Sequence, residues 1–188
     1  MCGIVGYVGK EQAAPFLLDG LSKLEYRGYD SSGIATFDGT KLVVEKCVGR
    51  LAALEEKIAG HIPQGHIGIG HTRWATHGRP ADNNAHPHTD GKGQFAIVHN
   101  GIIENYLPLK EALLKKGHEF KSETDTEVVA HLLADVYDGD FVAAVRTVLN
   151  TVEGSYSLVF LSKAHPDCLI CAKKDNPLVI GLGQGENF

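Results

Sequence analysis

The chain begins with Met1-Cys2-Gly3, a start that allows an N-terminal nucleophile. Methionine aminopeptidases remove Met1 when the second side chain is small, and Cys2 would then carry both a thiol and the free α-amine. The reference pKa is about 7.7–8.0 for an α-amine and about 8.5 for a thiol, so near neutrality the amine can accept the thiol proton. An N-terminal amine is a recognised base for an activated nucleophile. The alternative is that Cys2 is an incidental residue ahead of a hydrophobic first strand.

Residues 70–78 (Gly-His-Thr-Arg-Trp-Ala-Thr-His-Gly) lie where a predicted strand runs into a long loop. Arg73 can pair with a carboxylate through two parallel hydrogen bonds. Thr76 and His77 can add hydrogen bonds, and Trp74 can add a hydrophobic wall. The alternative is a salt bridge that anchors the loop beside a buried tryptophan, and spacing alone does not separate the two.

Asn100-Gly101 also has two interpretations. An Asn-Gly pair between apolar runs, here 95–98 and 102–103, is a strong signal of a hairpin turn, and we predict a turn here. The functional alternative is that the side-chain amide of Asn100 and the backbone N–H of Gly101 point at a developing oxyanion.

Asp125 precedes a helix predicted over 128–136. Thr124 and Glu127 have the spacing of a capping box, and acidic residues are favourable in a first helical turn, so Asp125 is explained without function. As a site residue it would supply a negative charge for a substrate ammonium group.

Several histidines lie in or beside the long loop: His71, His77, His86 and His88. They lack both the i, i+4 helical spacing of zinc hydrolases and a nearby carboxylate at that spacing, so we predict no metal site. Cys168 and Cys171 would face opposite sides of a strand and could not share a metal. We predict that these two cysteines are core residues, as is Cys47.

The elements that must position these groups follow from hydrophobic periodicity. We predict helices near 14–27, 51–58, 106–113, 128–136 and 141–152, a first strand that begins at 4–5, and further strands near 32–37, 42–48, 66–72, 95–99, 155–161, 168–172 and 178–180. The strands come mostly in hairpin pairs and the helices in separate runs, which argues against repeated parallel βαβ units. We therefore predict an α+β fold with two stacked, mainly antiparallel sheets and helices outside them.

Composition excludes several classes of protein. The length of 188 residues suits one substantial domain, and the net charge of −5 gives no reason to expect a nucleic-acid partner. We find no secretory signal and no apolar run long enough to cross a bilayer, so we expect no membrane association. Four scattered cysteines indicate a reducing, cytoplasmic setting. The glycine-rich end after residue 180 suggests a single domain, 1–188, cut from a longer protein.

Taken together, residues 2–6, 24–31, 71–78 and 99–106 resemble the glutaminase domain of class II glutamine amidotransferases. The resemblance covers essentially the whole chain, and residues 26–31 and 71–78 are most similar to the members that aminate fructose 6-phosphate. Amidophosphoribosyltransferases and asparagine synthetases share the Cys-Gly start and an Arg-Gly pair, but their surrounding residues differ. The resemblance implies the four-layer αββα sandwich of N-terminal nucleophile (Ntn) hydrolases, in agreement with the strand pattern.

The resemblance also implies roles for the candidate catalytic residues. Cys2, with its own α-amine as base, would attack the side-chain amide of L-glutamine and form a thioester that water hydrolyses to glutamate. Asn100 and Gly101 would form the oxyanion hole, with one turn serving as both hairpin and oxyanion site.

The remaining site residues would bind the substrate or support the site. Arg73, with Thr76 and His77 beside it, would bind the α-carboxylate, and Asp125 would bind the α-ammonium. Two further residues of the substrate side are implied, Trp74 for ammonia passage and His86 in the substrate loop. Arg27 would organise the loops around the nucleophile.

The resemblance implies no cofactor. In the parent enzyme ammonia would pass to a C-terminal sugar-isomerase domain, which lies beyond residue 188, so we expect glutamine hydrolysis without synthase activity. We expect a monomer for the isolated domain and a homodimer for the parent. If Met1 is retained, the chain would instead be a dormant glutamine-binding module, and a different class II amidotransferase is a further alternative.

Overall fold

The computed structural model describes residues 2–75 and 78–188. In this part of the chain the elements are β1 (Gly3–Val8), α1 (Ala13–Leu24), β2 (Ser31–Phe37), β3 (Leu42–Val48), α2 (Leu51–Ile58), β4 (Ile67–Arg73), β5 (His88–Thr89), β6 (Phe95–Ile103), α3 (Tyr106–Lys115), α4 (Glu127–Val136), α5 (Phe141–Thr151), β7 (Gly154–Ser162) and β8 (Leu169–Lys174). Short 3₁₀ helices cover Glu25–Arg27 and Asp82–Asn84. None of the described helices combines the length and the apolar character that crossing a membrane requires.

The described strands form two four-stranded antiparallel sheets. The first has the order β1-β4-β2-β3 and the second the order β5-β6-β7-β8. In the first sheet Ile4 of β1 lies opposite His71 of β4, and in the second Asn100 of β6 lies opposite Ser157 of β7. The predicted antiparallel pairing is confirmed.

Three apolar clusters show how the layers stack. Helices α1 and α2 cover the outer face of the first sheet, and α3, α4 and α5 cover the outer face of the second. Between the sheets lie Ala35, Ile67, Ile69, Ala96, Val98, Val159 and Leu161. The fold is therefore α+β with four layers in the order αββα, as predicted.

Two glycines of β4 allow α1 to lie close to the first sheet. A Cβ at Gly68 would be 2.9 Å from Leu17 Cδ1, and a Cβ at Gly70 would be 3.0 Å from Leu21 Cδ1. The alternation of isoleucine and glycine over 67–70 therefore leaves one face of β4 without side chains, and helix α1 packs against that face.

The predicted hairpin turn at Asn100-Gly101 is wrong. β6 continues through both residues to Ile103, and they pair with Ser157 and Tyr156 of β7. Gly101 has a φ of +132°, and a Cβ there would collide with the carbonyl oxygen of Ser155. Glycine at position 101 therefore allows β6 and β7 to approach each other closely, and it does not form a chain reversal.

The predicted strand over 178–180 is also wrong. The second sheet ends at β8, and the following segment contains Pro177, which has no N–H to donate to a strand partner. Val179 is 88% exposed. The chain then folds back on β1, where Asn187 forms a bridge with Val8.

The cysteines correct another prediction. Cys168 and Cys171 are exposed, so they are not core residues, whereas Cys47 is partly buried and packs against the core beneath α1 and α2. Cys171 lies on β8, a strand at the edge of its sheet, and edge strands bury less surface than central strands.

We predict that Ile69→Ala destabilises the protein because Ile69 is fully buried between the two sheets. Deleting such a side chain leaves a cavity and costs about 2–5 kcal/mol. The free energy of unfolding, measured in urea, should fall by that amount. The matched change Ile62→Ala, at a site 46% exposed, should cost less than about 1 kcal/mol. Equal effects of the two changes would contradict a tightly packed core between the sheets.

Candidate active site

A cavity of about 550 Å³ collects the candidate site residues that the sequence predicts. Its lining includes Cys2, Arg27, Arg73, Trp74, His86, Asn100, Gly101 and Asp125. Thr76 and His77 lie outside the described residues. The residues come from β1, β4, β6 and three connecting segments, so the fold brings together groups that are far apart in sequence.

Cys2 lies immediately before β1 and is half-buried. Its Sγ accepts a hydrogen bond from the backbone N–H of Trp74 at 3.2 Å, and its carbonyl oxygen accepts one from Asn100 Nδ2, also at 3.2 Å. Burial raises the pKa of the Cys2 thiol, and the Trp74 N–H and the Arg73 charge only partly oppose this effect. The thiol is therefore protonated at neutral pH, and a nucleophilic role requires a base.

The loop around residue 30 shapes the wall beside Cys2. Asp30 Oδ2 accepts a hydrogen bond from the N–H of Ala75 at 2.7 Å, and the Asp30 N–H donates to the carbonyl of Arg73 at 3.0 Å. A Cβ at Gly28 would lie 2.7 Å from the carbonyl carbon of Arg73, so only glycine fits this approach. Sequence reasoning gave Asp30 no role, although it lies inside one of the family-like segments.

Two buried groups of opposite charge line the cavity. Arg73 and Asp125 are each 4% exposed. Arg73 Nη2 donates to the carbonyl of Gly78 at 3.1 Å, and Asp125 Oδ2 accepts from the N–H of Ile103 at 2.7 Å. Burial lowers the pKa of Arg73, while the nearby Cys2, Asp30 and Asp125 favour its charged form. An arginine stays charged under these conditions, so the cavity places the Arg73 guanidinium and the Asp125 carboxyl group on its wall, with Arg27 as a second arginine.

A hydroxyl group at the start of α4 connects two histidines of the cavity wall. Thr126 Oγ1 lies 2.9 Å from His86 Nε2 and 2.9 Å from His99 Nδ1. Burial lowers the pKa of His86 well below its usual range. His99 and Thr126 line the cavity, yet the sequence carries no spacing signal that assigns them to a site.

The predicted capping box at Thr124 and Glu127 is wrong. Helix α4 starts at Glu127 with Thr126 as N-cap, so Thr124 lies outside the first turn. Thr124 Oγ1 instead contacts His88 Nε2 at 3.0 Å. The Glu127 carboxylate accepts from the N–H of Ser122 at 2.7 Å and ties down the segment before the helix.

Within residues 2–75 and 78–188, no cluster of three or more histidine, cysteine or acidic side chains is arranged to hold a metal ion. The histidines beside the cavity contact one another: the His71 and His86 rings stack at 4.2 Å, and His86 and His88 meet edge to face at 4.6 Å. All three histidine side chains are buried, and their rings pack against one another.

Sequence and structure comparisons agree on one family. A family model described as "Glutamine amidotransferase domain" matches residues 71–188. A glutamine–fructose-6-phosphate aminotransferase (isomerizing) of Caldanaerobacter subterraneus is 57% identical over 188 residues, which are 100% of this chain and 31% of the relative. The corresponding protein of Aquifex aeolicus is 54% identical over 100% of this chain and 32% of its own length. The chain thus spans about a third of the length of these relatives.

A solved structure supports the same assignment. The glutamine phosphoribosylpyrophosphate amidotransferase of B. subtilis superposes with a TM-score of 0.83 at 28% sequence identity, over 100% of this chain and 41% of that one. The family and Ntn-type fold predicted from the sequence are both confirmed. These matches show that the chain belongs to the family of class II glutamine amidotransferase domains.

Proposed function

We propose that this chain hydrolyses L-glutamine to L-glutamate and ammonia, with Cys2 as the nucleophile. The observation that carries the proposal is that Cys2, Asn100 and the opposite charges of Arg73 and Asp125 line one cavity. That set supplies a nucleophile, an amide donor and two charge partners for an amino acid. Family membership supports the same reaction class.

The charged groups fit the head group of glutamine. The Arg73 guanidinium pairs with the α-carboxylate, a role that the sequence also suggests for Thr76 and His77, and the Asp125 carboxylate pairs with the α-ammonium. Both charges are buried, so a ligand that lacks either head group loses one charge–charge contact in a site of low solvent access. Sites built on such buried polar groups reject incomplete analogues strongly.

The reaction proceeds in two halves. The α-amine of Cys2, free once Met1 has been removed, takes the thiol proton, and Sγ attacks the side-chain carbonyl carbon of glutamine. Asn100 Nδ2 and the Gly101 N–H stabilise the resulting oxyanion. The carbon–nitrogen bond then breaks, the amine proton passes to the departing ammonia, and a thioester remains. Water attacks the thioester, which releases glutamate and restores the thiol. Because burial raises the pKa of the Cys2 thiol, attack by Sγ needs a base, and we assign that role to the α-amine.

The remaining residues shape the site. Trp74 is 44% exposed at the cavity wall, where its ring meets Tyr29 edge to face at 5.5 Å, and we assign it to ammonia passage. Arg27 and His86 support the loops on either side of the nucleophile. No cofactor takes part in this scheme.

For the parent enzyme we propose that the ammonia passes to a C-terminal sugar-isomerase domain and aminates fructose 6-phosphate. The names of the relatives and their greater length support this proposal. The isolated chain would be a monomer, the parent a homodimer, and the setting cytoplasmic.

We predict that Cys2→Ala lowers glutamate formation by at least about 10³-fold, because the reaction loses its nucleophile. The rate is measured with glutamine as the sole substrate, on preparations whose N-terminus has been sequenced. Cys168→Ala is the matched control, since Cys168 is exposed and does not line this cavity, and it should keep the parent rate. Equal glutamate formation by Cys2→Ala and the parent would contradict the mechanism. Saturable glutamine binding without any turnover by a processed parent would favour the dormant binding module.

We predict that Asp125→Asn lowers kcat/KM for glutamine by about 10²–10³-fold, mainly through KM, because the α-ammonium loses its charge partner. Asp167→Asn, at an exposed position, is the control. With 4-carbamoylbutanoate, which is glutamine without its α-amino group, the parent and Asp125→Asn should differ by less than about threefold. A similar loss for both substrates would assign Asp125 a role other than binding the ammonium.

A further inference from the structure

His71 connects the two sheets at the cavity. It lies on β4 of the first sheet and is fully buried. Its Nε2 is 3.0 Å from the carbonyl oxygen of His99 and 2.9 Å from Asn100 Oδ1, both on β6 of the second sheet. The His71 side chain of the first sheet therefore contacts the oxygen of the Asn100 amide, whose nitrogen faces Cys2.

The partners determine which ring nitrogen of His71 carries the proton. The carbonyl oxygen of His99 can only accept, so Nε2 must donate. Burial lowers the pKa of His71 to about 3, so the ring is neutral and carries one proton. That proton is on Nε2, and Nδ1 is left without a hydrogen-bond partner among the described residues. The ring also stacks on His86, which restricts its rotation.

The same logic fixes the amide of Asn100. Because His71 Nε2 donates, the Asn100 atom that it contacts is the oxygen, Oδ1. At the other end Asn100 Nδ2 lies 3.2 Å from the carbonyl oxygen of Cys2, which again can only accept. Two independent contacts thus require the same orientation, with the amide nitrogen on the side of Cys2. A flipped amide would place two donors together at His71 and two acceptors together at Cys2.

We propose that His71 is a positioning residue for glutamine hydrolysis: it donates from Nε2 to Asn100 Oδ1 and thereby holds Asn100 Nδ2 towards the nucleophile. The inference rests on the proposed role of Asn100 as an oxyanion donor. Loss of a single oxyanion-hole donor costs about 10²–10³ in kcat, and loss of its orientation should cost part of that factor.

Two polar variants separate positioning from general packing. The side-chain amide nitrogen of His71→Gln can occupy the place of Nε2, whereas the shorter His71→Asn places its amide where Nδ1 lies. We expect His71→Gln to keep kcat within about threefold of the parent and His71→Asn to lose about 10–100-fold, with KM for glutamine unchanged within about twofold in both. Equal kcat values for the two variants would overturn the proposal.

A double-mutant cycle shows whether His71 acts through Asn100. In an Asn100→Ala background, His71→Asn should change kcat by less than about twofold, because the amide that it positions is gone. If His71→Asn lowered kcat by the same factor in both backgrounds, His71 would have a structural role and the proposal would be overturned. Calorimetric glutamine binding in a Cys2→Ala background checks that each variant retains its fold.

A readout without turnover separates this inference from the proposed function. The side-chain amide signal of Asn100 in ¹H–¹⁵N spectra, assigned by its loss in Asn100→Ala, should shift in His71→Asn and stay near the parent position in His71→Gln. An unshifted signal in His71→Asn would overturn the positioning role. Absence of glutamate formation by a processed parent would instead overturn the proposed function.

Discussion

The arrangement of the site depends on a fixed position for Cys2, the second residue of the chain. Chain ends are usually mobile unless an element ties them down. Here β1 starts at Gly3 and pairs along its whole length with β4, an interior strand of the first sheet. Hydrogen bonds from Trp74 and Asn100 then fix the side chain and the carbonyl of Cys2. The start of the chain is thereby tied both to an interior strand of its own sheet and to β6 of the facing sheet.

The rest of the site follows from this constraint. Because Cys2 lies at the end of β1, the groups that act on its substrate must come from the neighbouring ends of β4 and of β6 in the facing sheet. Gly3 allows the end of α1 and strand β4 to pack closely beside Cys2, since a Cβ there would be 2.7 Å from Leu24 Cβ and 2.8 Å from Thr72 Oγ1. The two-sheet packing therefore serves the chemistry as well as the core, and His71 is where the two sheets meet behind the site.

The sequence predicts the elements that have strong periodicity. The helix near 51–58 and the strand pair at 32–37 and 42–48 agree with the structure to within a residue or so, whereas the helix predicted from 14 to about 27 ends at Leu24 and is followed by a 3₁₀ helix over Glu25–Arg27. Predictions based on local signals were less reliable. The Asn100-Gly101 pair has the composition of a turn, but pairing with β7 keeps it extended, and the apolar run at 178–180 lacks a strand partner. In both cases the local conformation depends on whether a distant segment of the chain pairs with it.

The residues of the candidate site also fall into two groups, those that the sequence predicts and those that become evident only in the structure. Cys2, Arg73 and Asn100 lie in segments that resemble a known family, Asp125 is implied by the same resemblance, and the structure places all four on one cavity. His99 and Asp30 also lie in such segments and Thr126 does not, but no local pattern assigns any of the three to the site, because their contacts form only when separate segments pack together. Sequence reasoning considered His71 only as a metal ligand, and its contact with Asn100 becomes visible only once the two sheets face each other.

The central claim is that Cys2, freed of Met1, is the nucleophile. The most direct test is the intact mass of the purified chain before and after incubation with a diazo-ketone analogue of glutamine, followed by peptide mapping. The account predicts loss of one methionine residue and gain of one adduct, located on Cys2. A processed chain that hydrolyses glutamine but gains no adduct on Cys2, or gains it on another residue, would contradict it.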